Sequence, residues 1–432
     1  MQNYINNNLP NTVKTYLTKY AYRIEKLEIT KLFECIVVIP VLDEFDNLPK
    51  LIISLKKQNN IYLKKTLFLF VVNNSDKSGE ELIQNNLNSI EYLKNTAELK
   101  EINISVIDAA SVGKSLPDKI AGVGLARKIG MDSALQYFNY DVNHVKFLVC
   151  LDADCTVSEN YLDELFSCIN HNKLKAGYVK YHHQLTEDLE INKAIIVYEI
   201  FLRYYVLGLK YANSPYAFHT IGSTMFCDYE SYIKIEGMNK RKAAEDFYFM
   251  EKLSKATSIY EIKNAAVYPS SRPSWRVPFG TGQRVNRYLS KTQNEYQIYS
   301  PQIFDVLKEW SKVFHNKEIE SSNYYLMKAK EISISLYDFL IQNNFETAWD
   351  RIKENSKSTE IINNQKKLWF DGFRTLKLIH YLRDNQFGLI NIFDAVDQLL
   401  LKCRYKDIPK RKEEVPSISL QQEYLSILRE LA

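Results

Sequence analysis

Phe147-Leu148-Val149-Cys150-Leu151-Asp152-Ala153-Asp154 is the stretch from which the reading of this chain starts. Five apolar residues run straight into two carboxylates, the pattern of a strand buried on both faces of a parallel sheet with acids at its carboxyl end. Adjacent anions repel and lose hydration there, so the arrangement calls for a cation. Hard carboxylate oxygens suit Mg²⁺ or Mn²⁺, ions that usually also hold phosphate oxygens of a substrate. A plainer reading makes one Asp the cap of a helix near Ser158 and leaves the other solvated, so the pair alone does not decide.

Upstream, 33–39 is a β-branched run ended by Pro40, and Leu48, Leu51, Ile52 and Leu55 then repeat as one stripe of a helix. Further buried strands are expected at 66–72, 102–107 and 146–151, with a helix over 123–137 before the last. Alternation at this spacing predicts an α/β fold, a doubly wound and mostly parallel sheet flanked by helices. Ligands of such sheets bind at the carboxyl ends of the strands. Residues 1–30 read as a polar helical extension and 31–300 as the α/β domain. From 301 to 432 the β pattern disappears, and 325–345, 366–383 and 390–403 read as helices of an all-α region.

Polar groups recur where the strands end. Pro40-Val41-Leu42-Asp43-Glu44 follows the first strand and Asn73-Asn74-Ser75-Asp76 the second. Gly122-Val123-Gly124-Leu125-Ala126-Arg127-Lys128-Ile129-Gly130 joins glycines to two cations, suited to a diphosphate or, more plainly, to a helix start with Arg127 and Lys128 on a solvated face.

Together these pieces resemble a family 2 glycosyltransferase of the GT-A fold over about 33–288. The P-x-x-[DN]-E motif falls on Pro40, Asp43 and Glu44; G-x-x-x-A-R-x-x-G on Gly122, Ala126, Arg127 and Gly130; DxD on Asp152 and Asp154. Gly222-Ser223-Thr224-Met225-Phe226, Gly237-Met238 and Glu245-Asp246 match the acceptor segment and E-D motif. Arg284-Val285-Asn286-Arg287-Tyr288 resembles R-x-x-R-W with Tyr for Trp.

The resemblance implies a nucleoside-diphosphate sugar as donor and a hydroxyl of a saccharide, lipid-linked or small-molecule acceptor. Pro40, Asp43, Glu44, Asn73, Asn74, Arg127, Asp152, Arg284 and Arg287 would bind the donor. Asp154, with Asp152, would hold Mn²⁺ or Mg²⁺, and Asp246, beside Glu245, would be the general base. An inverting, non-processive reaction is expected, although retaining relatives share DxD. Asn73 stands where many relatives carry Asp, and R-x-x-R-W is best known from membrane-embedded processive synthases. Arg272 and Arg276 join the expected basic cluster; His219 reads as a core histidine, and Trp275 as a sugar-stacking or packing residue.

Other classes fit less well. A net charge of +4, scattered along the chain, argues for no nucleic-acid partner. Six cysteines without metal-ligand spacing read as buried thiols of a cytoplasmic protein. The apolar run 194–209 carries Glu199 and Arg203 and falls short of a span, leaving peripheral contact at the inner face of a membrane as an expectation. Leu151-Asp152-Ala153-Asp154-Cys155-Thr156 also fits a haloacid-dehalogenase-type phosphatase with Asp152 as nucleophile, but no later G-D-x-x-x-D follows. A non-catalytic nucleotide-sugar-binding protein would have lost the base or the metal ligands, and both are present.

Overall fold

The computed structural model describes residues 5–6, 8–96, 101–274 and 280–432. It divides into two compact units, one formed by Met1–Gln184, Thr220–Ser271 and Arg276–Phe279, the other by Leu185–His219, Arg272–Trp275 and Gly280–Ala432. The second unit therefore takes in the 194–209 run rather than beginning at 301.

The first unit is built on an eight-stranded sheet. Its strands are β1 (Cys35–Val41), β2 (Thr66–Asn73), β3 (Ile104–Ala109), β4 (Phe147–Cys150), β5 (Thr156–Val157), β6 (Ala176–Tyr181), β7 (Met225–Asp228) and β8 (Ile259–Tyr268), in the order β3-β2-β1-β4-β7-β6-β8-β5. The β3-β2-β1-β4 half is parallel throughout, and β6 and β8 are also parallel; β7 is antiparallel to β4 and β6, and β5 to β8. Every residue of β1 and β2 is buried, as strands covered on both faces must be, which is why their sequences read as unbroken apolar runs. The expected α/β class is what the chain adopts.

The connector from β4 to β5 turns back on itself, with the Cys155 amide donating to the Asp152 carbonyl at 3.2 Å. Such a turn cannot cross the four strand spacings, about 19 Å, that would separate β4 from β5 in a flat sheet. The sheet therefore curls, returning β5 to the helix Leu48–Lys56: the Val157 amide donates to Ser54 Oγ at 3.3 Å.

Pro40 does not end β1. It is buried within the strand, opposite Val71 of β2. The ladder to β4 closes with the Leu151 amide donating to the Val38 carbonyl at 3.2 Å. The next rung of a parallel ladder would need an N–H at position 40, which proline lacks. Strands β1 and β4 part there, at the point where the strand order reverses from β3-β2-β1 to β4. This is the crevice at which open α/β sheets bind ligands.

Among the described residues the amino-terminal segment is helical only over Asn11–Tyr20, and it docks through a buried polar cluster. Tyr16 and Tyr232 donate to the same Asp132 oxygen at 2.7 and 2.8 Å, and Lys128 pairs with the other at 3.1 Å. Lys128 is thus neither on a solvated face nor at a phosphate site; it neutralises a carboxylate within the core. Gly237, at φ 73, lies against Tyr16, where a Cβ would overlap the phenol oxygen.

Among its described residues the second unit is helical apart from a small antiparallel pair, Gln297–Tyr299 with Leu389–Asn391, a β element the sequence pattern does not anticipate. The expected helix 325–345 is three, Ser322–Ile332, Ile334–Gln342 and Phe345–Asn355, because Ser333 is extended and caps the second through Leu336. The expected 366–383 helix is likewise two, Thr359–Trp369 and Gly372–Leu382, with Asp371 capping Arg374. The helix Leu189–Tyr211 buries Glu199, which accepts from Arg203 at 2.9 Å and from both Nε and Nη2 of Arg429 at 2.8 and 3.0 Å. Among the described residues no helix is long and apolar enough to cross a membrane.

Gly237→Ala should lower unfolding free energy by about 2–4 kcal/mol, combining a left-handed backbone with overpacking against Tyr16. Denaturant titration checks this; a wild-type midpoint would disprove the tight fit.

Candidate functional site

The carboxyl ends of the neighbouring strands β2, β1 and β4 meet at this switch point. Past β1, Asp43 is exposed and left-handed at φ 58, a conformation Asp tolerates better than most residues. Glu44 is only 6 % exposed, and it accepts from Asn47 Nδ2 at 2.7 Å while its carbonyl receives the amides of Asn47 and Leu48. Glu44 anchors the loop that carries Asp43, and Pro40 acts through the missing rung.

Past β2, the two asparagines differ. Asn74 uses its amide within the chain, donating to the Ser75 carbonyl at 3.1 Å and accepting from Asn86 Nδ2 at 3.0 Å. Asn73 makes no side-chain hydrogen bond with a described residue, so its amide is the one available at this strand end.

Past β4, Asp152 and Asp154 are partly buried. The Asp154 carbonyl accepts from Gln184 Nε2 at 3.3 Å, and the same Nε2 donates to the Tyr268 carbonyl at 2.6 Å, fixing the turn to β8. Asp152 Oδ1 accepts from Arg127 Nη2 at 2.5 Å. Arg127 Nη1 donates to Glu245 Oε1, so one guanidinium joins the DxD turn to the E-D motif. Arg127 is 2 % exposed and stands between carboxylates rather than on a solvated face.

The glycines around Arg127 make room for the chain itself. A Cβ on Gly222 would lie 2.6 and 2.7 Å from the two Arg127 Nη atoms, one on Gly124 2.9 Å from Glu245 Cβ, and one on Gly122 2.8 Å from Lys242 Cα. The close approach anticipated for a diphosphate is made here to the segment that carries Glu245.

Glu245 and Asp246 open the helix Glu245–Ala256, where the positive end of the helix dipole favours carboxylates. Asp246 Oδ1 accepts from the Phe247 amide at 2.7 Å. Burial, then the neighbouring Asp246 charge, push Glu245 from an ordinary 4.5 to about 7, with Arg127 opposing them. Burial also raises Asp246, again against Arg127.

Asp152 and Asp154 leave β4 on one turn, closed by the Cys155 amide on the Asp152 carbonyl. Among the described residues no group of three or more His, Cys, Asp or Glu side chains could hold a metal. Two carboxylates from one turn match the way Mg²⁺ or Mn²⁺ is held by one or two acids with substrate phosphates completing the shell.

Of the expected basic cluster, Arg284 and Arg287 belong to the second unit. Arg284 and Arg287 lie in the helix Thr281–Leu289 and both pair with buried Glu295, at 3.0 and 2.7 Å, while Arg284 also sits over the Phe201 ring at 4.3 Å. Arg272 belongs to that unit, and Arg276 and Trp275 lie outside the described residues. His219 is buried, and burial with nearby Arg203 and Lys210 depresses its pKa well below the usual range, as for a core histidine.

Sequence reasoning missed Asn86, whose amide ties the loops after β1 and β2 together. The signal was available: Asn86 occupies the first place of the buried i, i+3, i+4, i+7 stripe Asn86, Ser89, Ile90, Leu93, where an apolar residue would be ordinary.

No protein-family model matches this chain, and no curated protein matches it. Solved structures that it resembles include TarS 1-349 of S. aureus in complex with UDP-GlcNAc, at 11 % identity over 82 % of this chain and 93 % of that one, TM-score 0.38. The mannosyltransferase PcManGT of Pyrobaculum calidifontis, in complex with GDP-Man and Mn²⁺, is 11 % identical over 87 % of this chain and 93 % of its own, TM-score 0.37. At such scores the likeness decides nothing about this chain.

Because the folded state holds Glu245 protonated up to about 7 while the unfolded chain releases that proton near 4.5, the native state binds more protons between those values. Stability should therefore fall as pH rises through that window, by at most about 1.4 kcal/mol per unit from this group. Glu245→Gln should flatten the slope in denaturation at stepped pH; an unchanged slope would refute the assignment. Separately, Gly222→Ala should force Arg127 off its carboxylates and cost about 1–3 kcal/mol.

Proposed function

We propose that this chain is a metal-dependent glycosyltransferase that moves a sugar from a nucleoside-diphosphate sugar to an acceptor hydroxyl, inverting the anomeric centre without processivity. The observation that carries the reading is the Arg127 guanidinium, which holds the DxD turn and the E-D motif together at the crevice opened by Pro40.

Asp43 and Asn73, one at each of two neighbouring strand ends, would grip the base and ribose. Asp154, with the Asp152 oxygen that Arg127 does not use, would hold Mg²⁺ or Mn²⁺. That ion, when bound, supplies positive charge to the departing diphosphate. Asp246 takes the acceptor proton: as the hydroxyl oxygen bonds to the anomeric carbon, the carbon–oxygen bond to the diphosphate breaks and its electron pair leaves with the nucleotide. A carboxylate raised by burial suits this task, since a base works best with a pKa near the operating pH. Glu245, held by Arg127, fixes the first turn of the helix that presents Asp246.

The phosphatase reading is weaker. It needs Asp152 as an open nucleophile, and Arg127 already occupies one of its oxygens.

Asp246→Asn should lower kcat by about 10²- to 10⁴-fold while leaving nucleotide affinity unchanged. Near-normal transfer by this variant would falsify the base assignment. Thermal shifts with UDP, GDP, CDP and dTDP should show one diphosphate that stabilises the chain only with Mn²⁺, and Asp154→Ala should abolish that shift. No shift with any nucleotide in folded protein would remove the donor class.

A further inference from the structure

Asn86 lies in the helix Glu80–Asn95 with no exposed surface, yet all three of its side-chain hydrogen bonds go to chain that ends a strand. Oδ1 accepts from the Asp43 amide at 2.9 Å, and Nδ2 donates to the Asn73 carbonyl and to Asn74 Oδ1, both at 3.0 Å. A backbone N–H can only donate, so the Asp43 contact fixes which way the amide points. Both donor hydrogens are then in use, and the loop after β1 is joined to the loop after β2 through one side chain.

The bond to Asp43 falls on a residue held in the left-handed region at φ 58. Asn74 is locked by the same contact, whereas the Asn73 side chain, also buried, makes no hydrogen bond with a described residue. An aliphatic residue at 86 would strand the Asp43 N–H and Asn74 Oδ1 without these partners, so packing alone does not explain an asparagine here.

We infer that Asn86 is a positioning residue for the nucleoside half of the donor. It sets the spacing between Asp43 and Asn73 without touching the ligand, an assignment that rests on the proposed glycosyltransferase reading. The diphosphate half is assigned to Asp152 and Asp154, neither of which bonds to Asn86. Loosening residue 86 therefore weakens recognition of base and ribose selectively.

The test is calorimetric titration of the full chain with Mn²⁺, using UDP, GDP, CDP, dTDP and inorganic pyrophosphate as probes. The chains compared are wild type, the near-isosteric Asn86→Asp, and Asn86→Ser. Affinity for the nucleotide preferred by wild type should fall about tenfold or more in the variants, preference among bases should narrow, and pyrophosphate affinity should stay unchanged. Retained pyrophosphate binding also shows that each variant is folded. Variants that keep wild-type nucleotide affinity overturn the inference, as does equal loss of nucleotide and pyrophosphate, which marks a merely structural role. Failure of wild type to bind any nucleotide is a separate result: it removes the donor reading, and the inference falls with it.

Discussion

A guanidinium buried in a protein interior loses several kcal/mol of hydration, and it persists there only with acids in good geometry. Arg127 meets that condition with Asp152 and Glu245, 25 and 118 residues away along the chain. Gly222 and Gly124 clear the space, and the helix Val123–Ala134 supplies the platform. A buried ion pair of this kind adds little net stability compared with apolar packing of the same volume. What it supplies is position: the turn after β4 and the first turn of Glu245–Ala256 are fixed by the same planar group.

Much of the architecture was legible because parallel strands buried on both faces write themselves as continuous apolar runs. The runs of β1, β2 and β4 were found within a residue or two. What the runs do not carry is register. Pro40 reads as a stop, whereas the structure lets β1 continue and breaks only the ladder to β4. Long-range electrostatics is equally silent in one dimension. Lys128 looked exposed, and only the arrival of Tyr16 and Asp132 around it reveals a core cation. The glycines of the 122–130 segment were correctly read as sites of close approach, but the partner proved to be the chain itself. In the 325–345 and 366–383 stretches the apolar stripe runs on past Ser333 and Asp371, so periodicity alone hides the caps that these side chains make.

The second unit follows a different logic. Its centre is aromatic, with Trp310, Phe314, Tyr325, Phe345 and Trp349 in mutual edge and face contact. Lys366 enters this cluster and donates to the carbonyls of Asn316 and Glu318 at 2.9 and 2.7 Å, with burial lowering its pKa to about 8. Here too buried charges have designated partners: Glu199 has Arg203 and Arg429, and Glu295 has Arg284 and Arg287. The motif arginines thus contribute to the internal order of their own unit.

The separation of Arg127 from Glu245 has a consequence for how the chain is made. At about 5–20 residues per second, roughly 6–24 s pass between the synthesis of the arginine and that of its distant acid. Once Asp152 has been made, 25 residues after the arginine, β1, β2, β3 and β4 are complete, while their central cation has Asp152 alone to answer it. The nascent sheet must either leave Arg127 in water or keep its helix undocked until the carboxylate 118 residues downstream arrives. The first turn of Glu245–Ala256 therefore gains its tie to Arg127 only after translation has passed residue 245, however early the sheet forms.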